Sequence, residues 1–449
     1  MSKLWKKRVE LNRDIEAFTV GDDYILDRDI VIPDCFASMA HAKMLCEIGV
    51  LSKEEFKNLK SELVEIVKDT KSGLFSVRVE DEDSHTAIEN RLVERLGADG
   101  KKIHTGRSRN DQVIAALRLY ARDFILDLEE ATLRLVGFLL DFAESYRGVP
   151  MPGRTHMQIA MPSSVGLWAA SFAEELLDDV YLLKGAYKLN NVSPLGSAAS
   201  YGVPLPLNRE RVAELLGFER VQNNVLYVNN SRGKFESIIL NAAEQVMLTL
   251  SKLSQDIILF SMPEFGYFSL PEELCPGSSI MPQKKNPGML ELIRAKTSTV
   301  TALNLQIKGI IKALPSGYNR DFQETKRAFM EGLRITLASV KIMALTIEKL
   351  GVNEERLVKG FIPEIFAADR AFELVDRGVP FRDAYREVGL NLEQLKGMDP
   401  YRAIEKRTST GTSGNLNLEF ARGILEKLSS EVSAEKKRIE GIFERLLNL

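Results

Sequence analysis

Between Asp111 and Glu144 the apolar residues Val113, Leu117, Tyr120, Phe124, Leu128, Ala131, Leu135, Phe138 and Phe142 recur at steps of three and four. That is the period of one helix face. Extended from about Arg107 to Arg147, the helix would run roughly 60 Å, far beyond an average globular helix. A second stripe, Ile239, Ala243, Val246, Leu250, Leu253, Ile257 and Phe260, repeats at four-three spacing. Similar patterns fill Ser164 to Leu189, Gly288 to Ala313, Glu324 to Leu350 and Asn415 to Leu447, and shorter ones fill Cys35 to Ile48 and Lys53 to Lys68. Period-two strand patterns are few and short. The pattern predicts an all-α protein whose long helices bury their stripes against one another in a bundle. These apolar faces are too extensive for one five-helix barrel to hide, so oligomerisation through the long helices is expected.

Three units follow from the same pattern: an N-terminal helical region over 1–106, a central long-helix bundle over 107–352, and a C-terminal helical region over 353–449. The Ser/Thr/Gly-rich run Thr408 to Gly414 reads as a flexible connector before a C-terminal helix. No internal repeat and no extended low-complexity tract is present.

Composition narrows the class. The chain has 449 residues, 45% apolar and 27% charged, with a formal charge of -3. That is ordinary for a globular protein and supplies no sequence-wide attraction to nucleic acid or membrane. The longest uncharged run, Met157 to Ala173, contains Gln158, Pro162, Ser163 and Ser164 and is too short and polar to span a bilayer. The basic start Lys3 to Arg8 has no apolar stretch behind it, so a cytoplasmic protein is expected. Cys35, Cys46 and Cys275 are too scattered for a disulfide framework and read as buried or half-buried thiols. The histidines are His41, His85, His104 and His156, and no two have metal-ligand spacing. No metal site is expected.

Candidate chemistry concentrates in a few islands. Gly277-Ser278-Ser279-Ile280-Met281-Pro282-Gln283-Lys284-Lys285-Asn286-Pro287 mixes hydroxyls, prolines, ammonium groups and amides in a way no packing rule asks for. Its prolines and glycine forbid a regular element, and its donors suit a loop that cradles an anion. His104-Thr105-Gly106-Arg107-Ser108-Arg109-Asn110-Asp111-Gln112 opens the first long helix. Two arginines there oppose the positive end of the helix dipole, an arrangement that calls for an anion nearby. Arg154-Thr155-His156-Met157-Gln158 offers a hydroxyl and an imidazole before another helix. Read singly, each island also has an ordinary structural explanation: a linker, a solvated charge cluster, a structural histidine.

Their residue order removes that ambiguity. G-S-S-I-M-P-Q-K-K-N-P resembles the signature loop of the fumarase/aspartase superfamily, whose members release fumarate by β-elimination, and its Q-K-K-N-P ending resembles argininosuccinate lyases in particular. His104 to Gln112 is similar to the family's H-T-G-R-S-R-N-D-Q, which implies substrate contacts from Ser108, Arg109 and Asn110. Asp81-Glu82-Asp83-Ser84-His85-Thr86 resembles D-E-D-x-H-[ST], placing His85 near a substrate carboxylate. The T-H-x-Q match implies that Thr155 binds a carboxylate and His156 donates or orients a proton. Glu291, in Glu291-Leu292-Ile293-Arg294, corresponds to the acid that pairs with that histidine. Tyr318 to Lys326 resembles Y-N-R-D-x-Q-E-x-K, which adds Tyr318, Gln323 and Lys326 as substrate contacts.

The resemblance implies an aspartase-like fold and a fumarate-forming reaction on a small molecule. Ser278 would be the base, Lys284 and Asn286 would stabilise the carbanionic intermediate, and no metal or organic cofactor would be needed. It further implies a homotetramer with composite active sites and no nucleic-acid or membrane partner. The alternatives are another fumarate-releasing lyase of the superfamily and a non-catalytic helical relative. Departures from the family pattern occur at Lys6-Lys7, at Phe18-Thr19-Val20-Gly21, at Gly196 to Gly202 and at Ser231 to Phe235. They leave the fumarate-forming residues unchanged and bear on the leaving group.

Overall fold

The computed structural model describes residues 12–277 and 279–449. Residues 1–11, with the Lys6-Lys7 departure, and the expected base Ser278 lie outside them. The architecture is all-α, and the long helices follow the apolar stripes closely. Five of them form the bundle: Arg109–Ser145, Val165–Asn190, Lys234–Ser261, Gly288–Ile311 and Gln323–Glu348. They are called here the first to fifth bundle helices.

The first bundle helix starts two residues later than the periodicity alone suggests, because Ser108 is its cap. The Ser108 hydroxyl accepts from the Asn110 amide at 3.3 Å, and Asp111 accepts from the Ser108 amide at 3.0 Å, a reciprocal capping box. Asp111 is fully buried and also accepts from the amides of Gly196 and Ala198, at 3.2 and 2.8 Å, which docks the 194–204 loop on the helix start. At 37 residues the helix is about 55 Å long.

The bundle core is one continuous apolar cluster. Leu128 and Leu135 share it with Leu176 and Leu183 of the second helix, Val246 and Leu250 of the third, Val300 of the fourth and Val340 of the fifth, all buried. Gly332 allows the third and fifth helices to close up, since a Cβ there would stand 2.8 Å from Leu240. A second cluster joins the helices Val31–Glu47, Lys53–Lys71 and Ser84–Leu96 through Met39, Leu59, Leu63 and Leu92. The final helix, Leu418–Leu447, runs back along the first and second bundle helices, burying Leu428, Val432 and Ile439 in the bundle core and Leu446 in the N-terminal cluster.

The Thr408 to Gly414 run is a bonded turn, not the flexible connector its composition suggests. The Gly411 amide donates to the Asn415 carbonyl, Gly414 donates to Arg407, and the Ser413 hydroxyl donates to the Ile404 carbonyl. A Cβ on Gly414 would stand 2.5 Å from the Arg407 carbonyl oxygen, so the glycine is there for close approach. Cys35 and Cys275 are buried and Cys46 is half-buried, all three as free thiols. Among the described residues no helix is long and apolar enough to cross a membrane.

Candidate active site

Six of the expected site residues line one cleft. Its volume is about 490 Å³, and it lies between the N-terminal segment, the start of the first bundle helix and the start of the fifth. Arg109 and Asn110 come from the first turn of one helix, Gln323 and Lys326 from the first turn of another, Tyr318 from the loop before it, and His85 from the first turn of Ser84–Leu96. Helix starts converge here, and their free amides and positive dipole ends favour negative charge.

The cleft is not simply cationic. Arg109, Arg232, Arg320 and Lys326 share its wall with Asp23, Asp27, Glu82 and Asp83. Arg109 donates to Glu82 at 3.1 Å and pairs with Asp83 at 3.2 Å, so the chain itself supplies an anion to the helix start. Lys326 is almost fully buried, with its ammonium 2.5 Å from Asp27 and 3.2 Å from Asp23. Burial opposes the Lys326 charge, but Asp27 and Asp23 outweigh it and hold its pKa above the usual lysine value. Burial raises Asp23, partly offset by Lys326. Gln323 donates its amide hydrogens to the carbonyls of Thr19 and Val20, at 3.0 and 3.3 Å, closing the wall beside Tyr318.

His85 sits at the back of this cleft. Its Nδ1 faces Asp34 Oδ2 at 2.6 Å, so that nitrogen carries a proton, while its Nε2 is buried without a partner among the described residues. The other two N-terminal histidines are structural. His41 bonds the Thr105 carbonyl at 2.8 Å, and His104 is pushed down to about 4 by burial and by Arg107 and Arg109, hence neutral beside the arginines.

Ser108 stays one residue outside the lining and spends its hydroxyl on the helix cap. The remaining candidates are elsewhere. Strands β1 (Pro150–Thr155) and β2 (Gln158–Ser164) form an antiparallel hairpin with Thr155 opposite Gln158. His156 and Met157 are the two turn residues, exposed, with φ of 52° and 63°. Two successive left-handed residues make the tight turn that matches strand twist, at a cost that glycine and asparagine avoid. The imidazole is thus presented at the tip of a rigid, strained projection.

Thr155 lies ten residues past the far end of the first bundle helix. Even fully extended, that connection recovers at most about 35 Å of the helix's roughly 55 Å, leaving at least about 20 Å between Thr155 and Asn110 in one chain. The signature loop is similarly remote. Ile311, at the end of the fourth bundle helix, abuts Gly233 beside the cleft residue Arg232. The loop precedes the opposite end of that 24-residue helix, about 36 Å away.

Within the loop, Lys284 donates its amide to Met281, Asn286 donates its own to Pro276 at 3.3 Å, and Lys285 pairs with Glu272 at 2.8 Å. The Lys284 side chain is exposed and forms no ion pair among the described residues. Glu291 is exposed in the first turn of the fourth helix, and among the described residues no bond joins it to His156 within the chain. Ser278 lies outside the described residues. Among them no group of three His, Cys, Asp or Glu side chains is arranged to hold a metal ion.

Sequence reasoning missed several cleft residues. Arg232 is buried, with Nε 3.5 Å from Glu236, and belongs to a segment read only as a departure. Asp23 and Asp27 are spaced four apart in an acid-rich stretch, a spacing that puts both on one side of a helical turn, and that was the available signal.

Comparison with known proteins identifies the family. The lyase family profile matches residues 1–302. The chain is 43% identical to an argininosuccinate lyase of Thermotoga neapolitana, over 86% of this chain and 97% of that one. It is 44% identical to an argininosuccinate lyase of Sorangium cellulosum, over 93% and 97% respectively. Among solved structures, EDDS lyase in complex with formate superposes with a TM-score of 0.82 over 96% of this chain and 94% of that one, at 22% identity, which shows a shared fold. On the strength of the curated relatives, this chain belongs to the argininosuccinate lyase family.

Proposed function

We propose that this chain catalyses the reversible β-elimination of argininosuccinate to L-arginine and fumarate. The observation that carries the reading is the cleft, where Arg109, Asn110, Tyr318, Gln323 and Lys326 meet among side chains of both charges. Such a wall suits a substrate with two carboxylates at one end, a guanidinium in the middle and an ammonium and a carboxylate at the other end.

In the chemical step a base removes a proton from the carbon next to a substrate carboxylate. The electron pair spreads into that carboxylate, the carbon–nitrogen bond breaks, and the departing guanidinium nitrogen takes up a proton. Ser278 is assigned as the base from its place in the signature loop. Lys284 and Asn286 stabilise the doubly charged carboxylate of the intermediate, which is the largest electrostatic demand of the reaction. His156, held at the hairpin tip, protonates or orients the leaving nitrogen, with Glu291 as its partner. Ser108, Asn110 and Thr155 supply hydroxyl and amide donors to the carboxylates. The substrate's own carboxylate is the electron sink, so the step calls for no added cofactor.

These groups occupy regions too far apart to meet within one chain, so the reading includes a homotetramer whose sites are composite. Exposed apolar side chains on the bundle support it: Tyr181 and Leu182 on the second helix, Leu248 on the third, Leu292 and Leu305 on the fourth, Ile342 and Leu345 on the fifth. The test is fumarate absorbance with argininosuccinate, adenylosuccinate, aspartate and malate as alternative substrates. Fumarate and arginine released in equal amounts from argininosuccinate alone is the expected result. Faster turnover of any other member of the panel would sink the assignment.

A further inference from the structure

We propose that Asp34 is a positioning residue for this reaction: it clamps His85 so that Nε2–H faces the cleft as a donor to a substrate carboxylate. The inference rests on the reading of the cleft as the substrate site and goes beyond it by assigning a residue that does not line that cleft.

The geometry is specific. Asp34 lies in Val31–Glu47 and is buried, and its Oδ2 accepts both from His85 Nδ1 at 2.6 Å and from the Ser84 hydroxyl at 3.0 Å. Two donors on one oxygen fix the ring plane. Since Nδ1 must carry the proton facing the carboxylate, Nε2 is the only ring nitrogen available to a ligand. That nitrogen is buried, has no partner among the described residues and belongs to a side chain lining the cleft. A buried polar atom left without a partner is costly unless something binds there. Its neighbours across the cleft, Arg109, Arg232 and Lys326, make a carboxylate the fitting ligand.

Charge reinforces the arrangement. Burial pushes His85 down, but Asp34, then Asp83 and Asp27, outweigh it and hold its pKa above the usual imidazole value. The other charged groups facing this corner are Glu82 and the cleft cations, His104, and Glu89 and Arg107 behind the ring. The sign follows directly: a carboxylate held by the imidazolium binds best at low pH, and that binding is lost as pH rises through the raised His85 value. Without the Asp34 charge the loss moves to lower pH.

The experiment uses Asp34→Asn, nearly isosteric, in the full protein. KM for argininosuccinate should begin to rise at lower pH than in wild type and be about tenfold higher near neutrality, with kcat changed less than about threefold. The double variant with His85→Gln should be no worse than His85→Gln alone. A KM increase of equal size at every pH, or parallel loss in kcat, would mean that Asp34 only supports the fold and would overturn the proposal. A second measurement is independent of turnover. In histidine-labelled protein the His85 imidazole resonance, assigned with His85→Gln, should titrate at lower pH in Asp34→Asn. An unchanged inflection rejects the clamp. If wild type releases no fumarate, the functional reading fails by itself, and the resonance still decides the Asp34 clamp.

Discussion

Asn110 and His156, both expected to serve the same substrate, stand at opposite ends of the first bundle helix. Asn110 is in its first turn beside the cleft, and His156 is at the tip of the hairpin that follows its last. A helix of 37 residues is a rigid spacer, and the ten residues from its end to Thr155 are too few to close the gap. The length that lets the helix bury its apolar stripe is the same length that keeps Asn110 and His156 of one chain apart. The proposed function therefore couples packing to catalysis: on that reading the bundle assembles with its copies before the chemistry occurs.

The hairpin turn carries strain that can be measured. Met157 is 63% exposed and left-handed, so its side chain contributes little burial to offset the backbone cost. Met157→Gly should stabilise the protein by roughly 0.5–1 kcal/mol, the αL penalty minus the entropy of glycine. Met157→Val should destabilise it by about 1–2 kcal/mol, because a β-branched residue tolerates positive φ poorly. Thermal denaturation of the two variants decides the matter. A destabilised glycine variant would mean that the turn is not strained.

The segment 22–29 is fastened to the fifth bundle helix by ion pairs in two environments. Asp27 and Lys326 are buried, whereas Asp22 and Arg327 are half exposed. Asp27→Ala removes the closer of the two carboxylates on the buried Lys326 ammonium, leaving Asp23, and removes the acceptor of the Ser84 amide at 2.9 Å, so it should cost about 3 kcal/mol. Arg327→Ala should cost less than about 1 kcal/mol. Urea titrations that give the two variants similar midpoints would contradict this division.

A buried acid away from the cleft sets a pH dependence. Glu129 of the first bundle helix is pushed up to about 8, chiefly by burial, against the attraction of Lys184 and with repulsion from Glu431 and Glu435. Its folded value is raised, so the native state holds a proton that the unfolded chain gives up. That contribution is fully present below the unfolded value of 4.5 and is lost as pH rises toward 8. Glu129→Gln should therefore melt higher than wild type at about pH 8.5, by on the order of 2 kcal/mol, and little differently at about pH 5. A difference that is the same at both pH values would show that Glu129 is not protonated in the native state.

The helices were legible because a stripe such as Ile239 to Phe260 repeats over six turns, and no local signal competes with it over that length. Boundaries were less so. Ser108 delays the start of the first helix by capping it, which the flanking arginines obscured. Thr408 to Gly414 looked like a connector because composition reports which residues tolerate turns and not whether their backbone groups find partners. The six cleft residues were reachable through their motifs, but not their partners. Asp34 and His85 are 51 positions apart, and Lys326 and Asp27 are 299 apart. Pairs that distant are created only by folding, so no local pattern announces them. The Ser278 assignment still stands on motif order alone.

The most direct test of the composite site is complementation between dead subunits. His156→Asn and Ser278→Ala chains, each carrying a different affinity tag, are co-expressed and the mixed tetramers isolated through both tags. Co-expression mixes the two chains before they assemble, so the result does not depend on subunit exchange. If each site draws His156 and Ser278 from different chains, some sites in a mixed tetramer receive both lesions and others neither. Fumarate release should then recover to a sizeable fraction of wild type, about a third on average in a tetramer with two chains of each kind, although neither parent has measurable turnover. Mixed tetramers that stay as inactive as the parents would contradict the account, by placing His156 and Ser278 of every site in the same subunit.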